Sequence, residues 1–214
     1  VTSLQVAGLE KRDKVSLLVM DFSLEDIGLF LPLWAEIPTT HRARTLVNRT
    51  LFAADRFGRP FGIPCASSAD PQSASVCQAV HLPWNVLIGE GLLAYGFREE
   101  AAQLTARLMS AVIANLKKQR AFYRAYHAET GAGLGERNPV HGLAPLGLFL
   151  HTLGVEFQSP RRVAISGKNP FPWPVTVKYR GLTVTRQMEK TVVVFPDGQV
   201  VTLDDPAEAV VAAE

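Results

Sequence analysis

The sequence predicts a mainly α-helical fold with a C-terminal antiparallel β-meander or sandwich piece. Three observations carry that expectation. Through residues 1–158 the apolar side chains recur at helical spacing, between loops rich in Pro and Gly. Over residues 159–206 they alternate with period two and are rich in Val and Thr. The β-like segments are joined through the Pro/Trp-rich stretch "KNPFPWP", and residues 207–214 form a tail.

The helical elements follow in order. "TTHRARTLVNRTLF" offers Thr39 or Thr40 as a cap, then Ala43, Leu46, Val47 and Leu51 on one face. "WNVLIGEGLLAYG" continues the spacing with Leu87, Ile88, Leu92 and Tyr95, and Gly96 supplies a C-terminal stop. "REEAAQLTARLMSAVIANLKKQ" is the clearest helix. Its stripe is Leu104, Leu108, Val112 and Leu116, with acids at the start and lysines at the end, as the helix dipole favours. "GLAPLGLFLHTLG" reads as a short apolar helix entered through Pro145 and closed by Gly154.

Two connections are too long to be ordinary helix-to-helix loops, "RFGRPFGIPCASSADPQSAS" and "FYRAYHAETGAGLGERNPVHG". Connections of that length are usually functional or disordered. The second, residues 122–142, carries aromatics, charges and two histidines. Beyond them "RRVAIS", "PVTVKYR", "LTVTRQ", "KTVVVF" and "QVVTL" read as strands. Asp197-Gly198 marks a hairpin turn and Tyr179-Arg180-Gly181-Leu182 a second one. The tail "PAEAVVAAE" reads as a frayed end or a last helical turn.

The totals bound the function. With 214 residues, 47% of them hydrophobic, the chain can bury one large core, or a core with an appendage. A formal charge of +2, from basic residues scattered among acids, argues against nucleic acid as a partner. The short apolar runs "VSLLVMDF" and "IGLFLPLWA" argue against a membrane span. Cys65 and Cys77 do not amount to a disulfide framework, although a single bridge between them stays open, and a reduced cytoplasmic protein is the default expectation. No signal-peptide architecture is visible. The chain opens at Val1 in ordinary domain sequence, so a truncated or processed start is expected.

Several stretches in order resemble the α/α-toroid (six-hairpin) glycosidases, a group that includes processing α-glucosidase I, glycogen-debranching α-1,6-glucosidases, mannosylglycerate hydrolases and trehalases. "FLPLWAEIPTTHRARTLV" resembles a helix pair with a preceding Pro-Leu segment. "FGRPFGIPCASSADP" resembles the loop ending in Gly-Ile-Pro. "HLPWNVLIGEGLLAYGFREEAAQL" is similar to the Pro-x-Asn, Gly-Leu, Tyr-Gly pattern, and "YRAYHAETGAGLGE" to the Glu-x-Tyr-Asp-Pro-x-Thr-Gly loop that holds the catalytic base. The resemblance covers roughly residues 21–200 and rests on the order of the motifs. It implies a partial α/α toroid, the C-terminal half of the barrel, followed by accessory strands. It also implies an inverting glycoside hydrolase acting on α-linked glucosides or related oligosaccharides, joined to a missing N-terminal half that carries the acid. The isolated chain would then be inactive.

The departures are at the chemistry. Arg124 stands where the family's loop carries the base, and Val76-Cys77-Gln78 stands where the family has Trp-Arg-Gly. Glycoside hydrolysis usually needs two carboxyl groups, roughly 6.5–9.5 Å apart in an inverting enzyme. Glu129 and Glu136 are the candidates in the loop, Glu136 reaching out after a glycine-rich turn, and solvated loop acids are the plainer reading of both. Sugar rings offer apolar C–H faces to aromatics and hydroxyls to fixed polar groups. Trp34, Trp84, Asn85 and Tyr126 are therefore candidate substrate contacts. Core packing explains the tryptophans, and a helix cap Asn85, as economically. Arg124 suits a carboxylate or acidic sugar, or a structural bridge to Glu129 or Asp70. His81, His127 and His141 lack metal-ligand spacing, so neither a metal nor another cofactor is expected. The alternative to an enzyme is a catalytically degenerate sugar-binding or scaffold protein on the same fold.

Overall fold

The computed structural model describes residues 5–16, 25–69 and 78–213. It overturns the expectation of a mainly α chain. Among the described residues, five α-helices stand beside ten strands in three antiparallel sheets. A toroid is built from pairs of long helices. Here α1 (Leu31–Trp34), α2 (Thr40–Leu46) and α5 (Leu146–Leu153) have 4, 7 and 8 residues. Only α3 (Leu82–Ala94) and α4 (Arg98–Gln119) are long enough to make a substantial helical hairpin. Pro and Gly break the helical pattern between α2 and α3 and again after α4, and part of the chain released there pairs as strands.

The helices form for local reasons. Thr39 caps α2, its hydroxyl accepting from the Arg42 N–H at 3.4 Å. Pro83 lies in the first turn of α3, where its missing N–H costs nothing. Gly96, at φ 76°, closes α3 and turns the chain into α4. Leu104, Leu108 and Val112 of α4 are buried as the stripe requires, while Leu116 remains 40% exposed. α3 is packed on two sides. A Cβ on Gly89 would stand 2.5 Å from Leu148 of α5, and one on Gly91 would stand 2.6 Å from the backbone of α1. Those glycines set how closely α3 approaches both neighbours.

The first sheet has the order β1-β2-β3, from β1 (Ala79–Val80), β2 (Tyr123–His127) and β3 (Gly133–Arg137). It encloses the first core together with α1 to α4. The second sheet has the order β10-β5-β4, from β4 (Val155–Ser159), β5 (Arg162–Gly167) and β10 (Ala207–Ala212). The segment read as a frayed or helical tail is thus an edge strand. The third sheet is a meander of β6 (Val175–Tyr179), β7 (Leu182–Arg186), β8 (Lys190–Val194) and β9 (Val200–Asp204). Arg180 and Gly181 take positive φ of 49° and 89°, as a two-residue hairpin loop demands. Asp197-Gly198 turns β8 into β9, with Asp197 accepting from the Gln199 N–H at 3.1 Å. Sheets two and three share the second core, around Val155, Val163, Ile165, Leu182, Val184 and Val193.

Arg186 and Arg98 tie the two halves together. Arg186 has no exposed surface and pairs with Asp205 at 3.3 Å. It also donates to the carbonyls of Leu153 at 2.7 Å, Gly154 at 3.2 Å and Ser166 at 3.1 Å, and to that of Gly167. Arg98 of α4 donates to the Thr152 and Ser166 carbonyls at 3.2 Å. No described helix is long and apolar enough to cross a membrane.

Candidate functional site: the grooves beside the first turn of α3

The predicted loop of residues 122–142 contains the β2–β3 hairpin. Tyr123 pairs with Arg137 and Ala125 with Leu134, so β3 carries one extra residue and Gly135 and Glu136 lie opposite Arg124. Gly135 makes this bulge with φ 75°. Arg124 packs beside it: its Cβ and Cδ would lie 3.5 and 3.7 Å from a Cβ placed there, an ordinary contact, so the positive φ and not space is what calls for glycine. Bulges re-aim side chains, and this one sets an arginine and a glutamate on the exposed side of the strand pair.

Two histidines complete the cluster. His81 precedes α3, and its ring hydrogen-bonds the Arg124 backbone. Its pKa is held below the ordinary 6.5 by burial first, then by the positive charges of Arg124 and His141, against the opposing effect of that hydrogen bond. Arg124, His81 and His141 are therefore one basic group, although far apart in the sequence.

Beside it run two grooves that share Leu87. One holds about 450 Å³ and is lined by Trp34, Trp84, Leu31, Pro32 and Ile37. The other holds about 480 Å³ and is lined by Pro83, Val86, Val140, His141 and Pro145. Trp34 is 53% exposed and Trp84 43% exposed. The two indoles come from the end of α1 and the start of α3, brought together because α1 packs on α3.

The other predicted site residues lie elsewhere. Asn85 is wholly buried. Its Oδ1 accepts from the Ile63 N–H at 2.8 Å, and its Nδ2 donates to the carbonyls of Ile63 and His81, both at 3.0 Å. It latches the Gly62-Ile63-Pro64 loop to α3. Tyr126 is also buried, its hydroxyl donating to the Gly142 carbonyl and accepting from the Tyr123 N–H, each at 3.1 Å. Burial pushes its pKa up. Glu129 sits in the hairpin turn, with Oε1 3.0 Å from Nε of Arg59. Its N–H donates to Nδ1 of His127 at 3.2 Å. Arg59 further donates to the Ala54 carbonyl at 2.8 Å and to the Ser68 hydroxyl, so Glu129 closes the 54–68 loop onto the hairpin. The bridge from Arg124 to Glu129 is thus replaced by one from Arg59. The alternative partner Asp70, the Val76-Cys77 departure and the Cys65–Cys77 bridge involve positions outside the described residues.

The structure therefore gathers Trp34 with Trp84, and Arg124 with Glu136, and sends Asn85, Tyr126 and Glu129 to other tasks. Sequence reasoning did not assemble His81 and His141 around Arg124. The only signal was their residue type, because the pairing of β1 with β2 that joins them is a long-range event. Neither groove has an Asp or Glu among its lining residues. Among the described residues, no group of three or more His, Cys, Asp or Glu side chains is placed to hold a metal ion.

No family model matches the chain, and no curated protein matches it. Among solved structures it is similar to a sialidase, with TM-score 0.54 and 11% identity, over 87% of this chain and 20% of that one. It is also similar to the GH63 mannosylglycerate hydrolase from Thermus thermophilus, solved in complex with glucose. There the TM-score is 0.46 and the identity 26%, over 60% of this chain and 30% of that one. The chain spans less than a third of the length of either protein. The sialidase likeness is one of fold alone, over a part of that protein.

Proposed function

We propose that this chain is the saccharide-contacting unit of a carbohydrate-active, glycosidase-related protein. Its platform is the Trp34/Trp84 groove, with Arg124, His81 and His141 at the His141 end of the adjoining groove. The observation that carries the reading is the convergence of two half-exposed indoles, distant in sequence, on one groove. Exposed aromatic faces clustered in a cleft are a cost to a soluble surface unless they bind something. Flat apolar faces flanked by fixed polar groups suit a sugar ring, and the motif order described above points the same way.

Binding is better supported than hydrolysis by this chain alone. Glu129 is engaged by Arg59, which leaves Glu136 as the candidate base, opposite Arg124 on the bulge. Inverting hydrolysis of an α-linked glucoside or related oligosaccharide would require a second carboxyl group supplied from outside this chain.

Titration with maltoheptaose tests the reading. Binding to the intact chain should weaken at least tenfold, about 1.4 kcal/mol, in Trp34→Ala and again in Trp84→Ala. The chain alone should release no reducing sugar. Absence of maltoheptaose binding, or binding indifferent to both substitutions, would remove the α-glucoside platform.

A further inference from the structure

A third groove lies where α4 meets the segment joining β5 to β6. It holds about 600 Å³, and its lining includes Glu99, Glu100, Gln103, Arg107, Phe171 and Trp173. Trp173 is 50% exposed, and its ring rests on the buried Phe171 ring at a centroid distance of 5.8 Å. The segment is held in place by Asn169. Its Nδ2 donates to the carbonyls of Trp173 at 2.9 Å and Arg186 at 3.3 Å, and its Oδ1 accepts from the Phe171 N–H at 3.1 Å. The indole face is thus presented on a pre-ordered support, which lowers the entropy lost when a ligand settles on it.

Arg107 is an independent observation. Its guanidinium lies over the Phe52 ring, 5.4 Å from the centroid, and its Nη1 is buried with no hydrogen-bond partner among the described residues. Burial lowers its pKa. Arg107 is also one of the residues that line the groove, so its guanidinium gives the site a cation with several N–H donors.

The signs of the lining select the ligand. Glu99 and Glu100, in the first turn of α4, would oppose a carboxylate or phosphate. Arg107 would oppose an ammonium group. A hydroxyl both donates and accepts, so a neutral polyhydroxylated ring can serve the glutamates and the guanidinium together while its C–H face covers the indole. We propose that the Trp173/Arg107 groove is a second saccharide site, selective for neutral sugars and separate from the Trp34/Trp84 groove. It stands on its own lining residues and extends the function proposed above.

Calorimetric titration of the full chain with maltoheptaose, cellohexaose and mannohexaose, with oligogalacturonate as the acidic control, tests it. A neutral oligosaccharide should bind the Trp34→Ala/Trp84→Ala double variant. Adding Trp173→Ala should weaken that binding at least tenfold, as should adding Arg107→Met, and Trp173→Phe should keep most of it. Arg107→Met should melt no lower than the parent, which separates loss of a ligand contact from loss of the fold. The proposal is overturned by neutral binding that survives Trp173→Ala, by a preference for oligogalacturonate, or by no binding of the three neutral probes to the double variant. In that last case, binding by the unsubstituted chain would leave the first groove standing. Loss of binding in Trp173→Ala alone, with Trp34→Ala and Trp84→Ala inert, would keep this site and remove the first.

Discussion

Asn85 makes three hydrogen bonds with no exposed surface, to a loop residue and to the carbonyl before its own helix. Replacing it with Leu keeps the volume and strands the Ile63 N–H and carbonyl, while the His81 carbonyl keeps the backbone N–H of residue 85 at 3.2 Å. Asn85→Leu should therefore cost roughly 3 kcal/mol in urea unfolding, since each orphaned buried group costs about 1–3 kcal/mol. A loss under about 0.5 kcal/mol would mean that the loop does not depend on this latch. Its residue type was legible as a polar group with a fixed task, but the direction it faces was not, because that depends on the 59–66 loop folding back over α3. His81 makes a prediction of opposite character. Its folded pKa lies below 6.5, so the unfolded chain binds the proton more tightly. Stability from this group is complete above 6.5 and is lost as the pH falls below 6.5 through the folded value. The charged groups facing it are Arg124 and His141. Arg124→Gln should move the His81 titration, followed by NMR, only part of the way up, because burial is the larger cause. No movement would show that Arg124 does not act on this ring.

At the level of elements, what the sequence disclosed depended on whether a pattern was local. β6 to β9 are alternating Val/Thr runs with turn residues between them, so both period and turns could be read directly. β2, "YRAYH", holds no β-branched residue, and it pairs across a bulge with a strand that begins at a glycine. Its pairing comes from tertiary placement, which overrides propensity. The expected mainly α chain failed for a related reason: helical spacing was real in α3 and α4, but the connections read as loops contribute β2 and β3, and α1, α2 and α5 are short. Arg186 was equally hidden, since an arginine in "LTVTRQ" reads as a polar side of a strand. It lies instead at the join between α5, β5 and β7, paired with Asp205. Arg186→Leu leaves that carboxylate buried without its partner and should cost about 3–5 kcal/mol. Adding Asp205→Leu should return part of the loss, because the uncompensated charge is then gone. If the double variant is no more stable than Arg186→Leu, the carbonyl contacts rather than the ion pair hold the join.

On the scale of the molecule, two hydrophobic cores are separate as clusters yet share elements. α4 sends Leu104, Leu108 and Val112 into the first and Ala102 into the second, and Leu153 of α5 belongs to the second. Arg98 and Arg186 then both bind the end of α5 to β5, sharing the Ser166 carbonyl. Unfolding either half uncovers apolar surface and orphans carbonyls in the other, so the halves should unfold as one unit although each has a core of its own. The three tryptophans allow a direct check, because Trp34 and Trp84 belong to the helical half and Trp173 to the segment before β6. In a Trp34→Phe/Trp84→Phe chain, fluorescence reports Trp173 alone, while circular dichroism at helical wavelengths reports α3 and α4. The two urea transitions should coincide. In the Arg186→Leu background the join is weakened, and the fluorescence midpoint should fall before the helical one. Separate transitions in the parent chain would instead make sheets two and three an autonomous appendage. The Trp173/Arg107 groove, which needs α4 and the β5–β6 segment in register, would then lose its rigid support.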